Sequence, residues 1–210
     1  MKVAIIAASG KAGNQILEEA VRRGMEVTAI VRHKEKITNP NVQVLEKDLF
    51  DLTFEDIQDQ DVVIDAFNAP HGQEELHQTS LKHVTSLLKG KTNRLLVVGG
   101  AGSLYVDEAE SLRLMDTPDF PAAFLPTASH MGKALDALKQ EAEVNWTYMS
   151  PSAFFNPEGA GTGTYILGEN QLLVDETGQS EVSYANFAKA MLDEIEEPKH
   201  VKERFTVRNK

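Results

Sequence analysis

Residues 2–32 read KVAIIAASGKAGNQILEEAVRRGMEVTAIVR, and this stretch decides the fold. Val3 to Ala7 is a short apolar run rich in β-branched residues, which suits a parallel strand covered by helices on both faces. After a glycine-containing turn, Ile16, Leu17, Ala20 and Val21 fall on one face of a helix, and Gly24 stops it. Val27 to Val31 is the next apolar run. Strand, turn, helix and strand in this order open a parallel α/β sheet.

The same alternation continues along the chain. Val42 to Leu45, Val62 to Ala66, Leu95 to Val98 and Thr147 to Met149 read as further strands. Helices are predicted over Gln73 to Leu88, from near Thr127, and after Ser183. There Ser183 serves as N-cap, and Phe187, Ala188, Met191, Leu192 and Ile195 form one stripe before Pro198. The prediction is one α/β domain spanning 1–210, a doubly wound parallel sheet flanked by helices.

Two segments, about 99–127 and 151–182, exceed the short connections usual in such units. Both follow the C-terminal end of a strand, where open sheets bind ligands, and both are read as substrate-side walls. Plain loop insertion is the rival reading. Within the second, Tyr165 to Val174 around Gly168, Glu169 and Asn170 is expected to form a small hairpin.

Composition narrows the chemistry. The 210 residues are 41% hydrophobic and 25% charged, ordinary globular proportions. There is no cysteine, which excludes disulfides, thiolate nucleophiles and cysteine-based metal sites. The net charge of −11, from 32 acidic against 21 basic residues and without a basic run, argues against nucleic acid as a partner. Neither a signal-peptide h-region nor a membrane-length apolar stretch is present, so a cytoplasmic location without membrane attachment is expected. The protein is expected to work as a monomer or homodimer.

The turn Ala8-Ser9-Gly10-Lys11-Ala12-Gly13 leads from the first strand directly into a helix. A pyrophosphate needs this placement, because glycine lets the backbone approach the anion and free N–H groups at the helix start point at it. Gly10 permits the approach and Gly13 lets helix and strand pack closely. Ala7 stands where the related extended pattern has its first glycine. The bland alternative is a tight strand-to-helix turn.

The end of the second strand selects the cofactor. An acidic residue there would bind the ribose hydroxyls of NAD, but the strand ends in Val31-Arg32-His33. Arg32 suits a 2′-phosphate, so NADP(H) is favoured over NAD(H). The alternative is that Arg32 only stacks on the adenine or meets solvent. Asp48 and Leu49, after the third strand, are placed near the adenine. Phe67, Asn68 and Ala69, after the fourth, are placed along the path to the ribose.

Residues 8–13, Val31-Arg32, 98–104 (VGGAGSL), 150–155 (SPSAFF) and 183–195 (SYANFAKAMLDEI) together resemble the atypical short-chain dehydrogenase/reductases. The likeness is in particular to NAD(P)H-binding, NmrA-like proteins of the NADH-flavin reductase type, related to biliverdin-IXβ/flavin reductase. It spans nearly the whole chain. It implies a Rossmann-like sheet and hydride transfer from a nicotinamide cofactor to a flat conjugated acceptor such as a flavin. The wider group also includes non-catalytic sensors of cofactor redox state.

Typical members use a Tyr and Lys four apart on a helix, the ammonium lowering the phenol pKa. Here Tyr105 is followed four residues later by Ala109, and Lys133 has Ser129 in the tyrosine position. Carbonyl reduction is disfavoured, whereas reduction of a planar acceptor needs mainly stacking and positioning. Lys133 is read as holding the nicotinamide ribose, as the resemblance implies. Ser103 and His130 are read as contacts to nicotinamide or substrate. Gly99 and Gly100 join the cofactor site. Pro151, Ser152, Ala153 and Phe154 form a wall against the nicotinamide, and Phe155 or Tyr105 supplies an aromatic surface. The rival readings are a solvated helix for Lys133, a surface or core histidine for His130, and core packing for the phenylalanines. The leading expectation is an NADPH-dependent reductase of a flavin or other small planar acceptor. A redox-sensing NADP(H)-binding protein without turnover is the alternative, and a nucleotide-sugar epimerase lies further off.

Overall fold

Apolar residues on both faces of the central strands commit the sheet to the middle of the molecule. The computed structural model describes residues 1–210. Six strands run parallel, namely β1 (Lys2–Ile6), β2 (Glu26–Val31), β3 (Gln43–Glu46), β4 (Val62–Asp65), β5 (Arg94–Val98) and β6 (Asn145–Ser150). Val3 and Ile5 of β1 face one core with Ile16, Leu17 and Ala20 of helix α1 (Lys11–Arg22). Ala4 and Ile6 face a second core on the other side, formed with α3 (Leu76–Leu88) and α4 (Leu125–Leu138). A short α2 (Phe54–Ile57) adds Ile57 to this second layer.

Helix α5 (Tyr184–Glu196) lies beside α1 and sends Phe187, Met191 and Ile195 into the first core. The Ser183 hydroxyl accepts from the Asn186 N–H at 3.1 Å, so the predicted cap is present. Helix α4 begins two residues before Thr127, and α3 begins at Leu76 after a turn.

The sheet order begins β3-β2-β1-β4-β5-β6, and the two strands that complete it beyond β6 depart from the sequence reading. β10 (Glu203–Asn209) runs parallel to β6, burying Phe205 and Val207. β8 (Tyr165–Gly168) pairs antiparallel with β10, so Tyr165 to Val174 is not the expected hairpin. Its partner comes from the C-terminal strand instead. β7 (Phe154–Asn156) and β9 (Glu181–Ser183) form a separate parallel pair.

Arg204 explains how the two long segments are held. Its guanidinium is buried without an acidic partner and donates to Ser103 O and Oγ at 3.2 and 3.3 Å. It also donates to the Asn170 side-chain and backbone oxygens at 2.9 and 3.3 Å. Tyr105 bridges both Arg113 and Gln171 beside it. One buried side chain thus ties segment 99–127 to segment 151–182. No helix is long and apolar enough to cross a membrane.

Candidate functional site

Strand order reverses between β1 and β4, and the crevice outside the C-terminal ends of strands at such a point is where doubly wound sheets bind ligands. A cleft of about 770 Å³ opens there. Its floor begins at the turn between β1 and α1. Gly10 is the N-cap of α1 in an extended conformation, with no side chain capping the helix. The N–H groups of Ser9, Lys11, Ala12 and Gly13 find no acceptor within the chain, whereas Gly10 donates to Ala7 O and Asn14 to Gly10 O. Unpaired donors aimed from a helix N-terminus suit a pyrophosphate.

The glycines show how tightly this turn is built. A Cβ at Gly13 would stand 2.5 Å from Ala7 O and 3.0 Å from Ala8 Cα, both backbone atoms. Ala7 itself has φ 56°, the left-handed region that favours glycine. The turn therefore keeps the geometry of the glycine pattern with alanine in the strained place, rather than shifting. Ala7→Gly is expected to raise unfolding stability in urea by roughly 0.5–1 kcal/mol. A loss of stability instead would mean that the Ala7 methyl, which packs against the second core, outweighs the strain.

One end of the cleft is basic. Lys11, Arg32 and Lys36 line it, and none has a hydrogen-bond or ion-pair partner through its side chain. The neighbouring basic side chains are engaged: His33 with Glu35, Lys34 with Glu46, and Lys47 with Asp56 at 2.6 Å. Asp48 accepts from the Phe50 N–H at 2.9 Å and caps the turn Leu49–Asp51, which fixes Leu49 and leaves Phe50 on the cleft wall.

The other end lies over β4, β5 and β6. Phe67, Asn68, Gly99, Gly100, Pro151, Ser152 and Ala153 line it as the sequence suggested. The glycines also answer to packing from below, since a Cβ at Gly99 would stand 2.1 Å from the Tyr148 ring, and one at Gly100 would press on Met131 Sδ. The Ser152 hydroxyl is spent on Val207 O at 2.9 Å.

Several anticipated side chains lie elsewhere. Ser103 is buried beneath Arg204 and Tyr105 lies next to it, so neither lines the cleft. On α4 it is Met131 that lines the cleft; Lys133 follows by two residues, about 200° around the helix, and is exposed. His130 Nδ1 is 2.6 Å from Gln78 Nε2 and outside the lining. Ala8 is buried, and so is Ala69, outside the lining, with its N–H directed at His77 Nε2 at 3.4 Å. Phe154 is 55% exposed and faces away, because alternation along β7 turns Phe155 inward.

Among the wall residues that escaped the sequence reading are Lys36, Phe50, Met131 and Tyr184. Tyr184 opens α5, directly after the recognised cap Ser183, and its ring centroid lies 3.9 Å from that of Phe155. Burial pushes its phenol above the usual tyrosine range, and the residue four later is Ala188. A catalytic phenol needs the opposite shift, supplied by a lysine ammonium.

The parallel sheet, the switch point and the uncapped glycine turn define a doubly wound dinucleotide-binding protein. Residues 7–198 match the NAD(P)H-binding family, and the chain belongs to it. This agrees with the resemblance carried by the motifs. Over 208 residues the chain is 55% identical to the Bacillus subtilis protein YwnB, covering 99% of this chain and 98% of that one. It is 46% identical to a solved Streptococcus pneumoniae protein named a "putative NADH-flavin reductase", with a TM-score of 0.96 over 100% of both chains. A "putative epimerase" from Bacteroides thetaiotaomicron is 40% identical, with a TM-score of 0.88 over 99% of this chain and 96% of that one.

Proposed function

We propose that the protein is an NADPH-dependent reductase that passes hydride to a flavin or another planar conjugated acceptor. The observation that carries the reading is a cleft with two unlike ends. Free N–H groups and the unpaired cations Arg32 and Lys36 stand at one end, and the Phe155 and Tyr184 rings at the other. The turn would hold the pyrophosphate, and Arg32 with Lys36 the 2′-phosphate. The bound nicotinamide would supply the hydride.

The chain's own task is then positioning. Gly99, Gly100 and Pro151 would set the depth of the nicotinamide end, and Phe155 with Tyr184 would offer a flat aromatic wall. A flavin can take its proton from solvent, so no positioned acid is required. This fits a cleft in which Tyr184 has no lysine to activate it. The same feature speaks against the epimerase chemistry suggested by the Bacteroides relative's name. The name of the Streptococcus relative supports flavin reduction.

Purified protein mixed with NADPH and, in turn, FMN, FAD, riboflavin, biliverdin and quinones is expected to oxidise NADPH over many turnovers with at least one of them. Tight NADPH binding without turnover on any would overturn the enzymatic reading and leave the redox-sensing one.

A further inference from the structure

Beneath the nicotinamide half of the cleft lies a buried polar layer that the reaction above does not use. Asp65, the last residue of β4, is 4% exposed and lines a cavity of about 20 Å³, room for one water. Phe67, Val98 and Met131 separate this cavity from the cleft and line both. One Asp65 oxygen accepts from the Phe67 N–H at 3.0 Å, and no cation pairs with the carboxyl. An unpaired carboxylate in such a place is costly, because a buried charge without a counterion is poorly solvated. Apolar replacements would fill the site at lower cost, so the charge itself calls for an explanation.

The surroundings leave Asp65 as the group in the cavity positioned to change charge. β1 and β5 present Ile6 and Val97 beside it. From α3 comes His77, whose imidazole is depressed to about 4 by burial and by the nearby His130, and is therefore neutral. From β6 comes Tyr148, pushed to about 12 by burial, whose hydroxyl accepts from the Gly100 N–H at 3.3 Å. Further out, Glu74 acts on His77, and Arg204 and Asp136 act on Tyr148. His130 of α4 sits against Gln78 outside the cavity lining. Burial raises the Asp65 carboxyl to about 6, with the Phe67 N–H opposing it in part.

The two ends of the cleft fix which half of a dinucleotide lies above. The uncapped turn follows β1, and the basic end lies toward β2 and β3, so the redox-active half falls over β4 and β5. Ile6 of β1 pairs directly with Asp65. An oxidised nicotinamide ring is cationic and a reduced one neutral. A negative charge below this half acts differently on the two, and acts strongly through a low-dielectric layer.

We propose that Asp65 sets which oxidation state of the nicotinamide cofactor the cleft prefers, its ionised carboxylate favouring the oxidised ring over the reduced one. The proposal rests on the cofactor reading above. In an enzyme, protonated Asp65 would favour the reduced cofactor and ionised Asp65 would retain the oxidised product, so the ratio of the two affinities follows pH.

Calorimetric titration of the full chain with NADP+ and with its acid-stable tetrahydro analogue, whose ring is neutral, tests this at pH 5 and pH 8. Both ligands carry the 2′-phosphate, so its own ionisation cancels in the ratio. If bound NADP+ lowers the Asp65 midpoint by about one pH unit, the ratio moves about fivefold toward NADP+ from pH 5 to pH 8. Asp65→Asn, which keeps the acceptor for Phe67, is expected to hold the ratio within about twofold, while His130→Gln leaves the wild-type change intact. The wild type alone gives a second measurement, because carboxyl carbon NMR should show the Asp65 midpoint falling with NADP+ and not with the analogue. A flat wild-type ratio, an unmoved midpoint or a pH-dependent ratio surviving in Asp65→Asn overturns the proposal and leaves the cofactor reading standing. Failure of both ligands to bind at either pH overturns both.

Discussion

Arg32→Asp is expected to weaken NADPH binding about 100-fold while leaving NADH within about threefold. Arg32 is exposed at the end of β2, lines the cleft, and has no carboxylate partner, unlike His33, Lys34 and Lys47 close by. A guanidinium free of internal partners can meet a phosphate through charge-assisted hydrogen bonds, each worth roughly 1.5–3 kcal/mol. Reversing the charge removes that term and adds repulsion against the 2′-phosphate. NADH lacks this group, and an aspartate there would accept from its ribose hydroxyls. Lys36→Gln, acting through one more flexible cation, is expected to cost NADPH about fivefold. Calorimetric or fluorescence titrations of both cofactors check the pair. Equal losses for NADPH and NADH on Arg32→Asp would show that Arg32 stacks on the adenine common to both.

How much of this was legible in the sequence depended on which periodicity carried the information. The central strands were legible because parallel strands covered on both faces are nearly continuous apolar runs, as Val62 to Asp65 illustrates. β10 was not, because Glu203 to Asn209 holds only two apolar residues, Phe205 and Val207, each flanked by polar ones. Its alternation was a usable signal, since Phe205 and Val207 enter the core while Arg204 is buried on the other face through its bonds to Ser103 and Asn170. With β10 unseen, β8 had no partner and Tyr165 to Val174 looked like a hairpin.

The site was legible where it depends on backbone and uncertain where it depends on side-chain phase. The glycine turn needs only order along the chain. Phe154 against Phe155 is a question of which face of β7 looks inward, and Lys133 against Met131 is a question of rotation around α4. Ser103 lies just after β5, as cleft residues do, yet it is drawn below the surface by Arg204, a residue about a hundred positions away in the chain. Asp65 did carry a local signal, a carboxylate closing a run of buried apolar residues.

Gly13→Val is expected to lower unfolding stability by about 3 kcal/mol and to weaken nucleotide binding at least 100-fold. The first effect comes from overpacking against atoms that cannot rotate away: a Cβ already stands 2.5 Å from Ala7 O and 3.0 Å from Ala8 Cα. Relief requires α1 to retreat from β1, and α1 carries Ile16, Leu17 and Ala20 into the larger core. The second effect follows from the same movement, since the N–H groups of Lys11, Ala12 and Gly13 travel with the helix and a valine side chain intrudes at its first turn. Gly10→Ala supplies the contrast, because its Cβ would meet only Ala7 O at 3.2 Å and its φ of −72° suits any residue. That variant is expected to lose under 1.5 kcal/mol. Urea denaturation and cofactor titration on the same samples separate the two effects, provided binding is measured well below the unfolding transition. A folded Gly13→Val protein with wild-type affinity would mean that the turn does not hold the pyrophosphate, and the cofactor would have to enter the cleft by its rim alone.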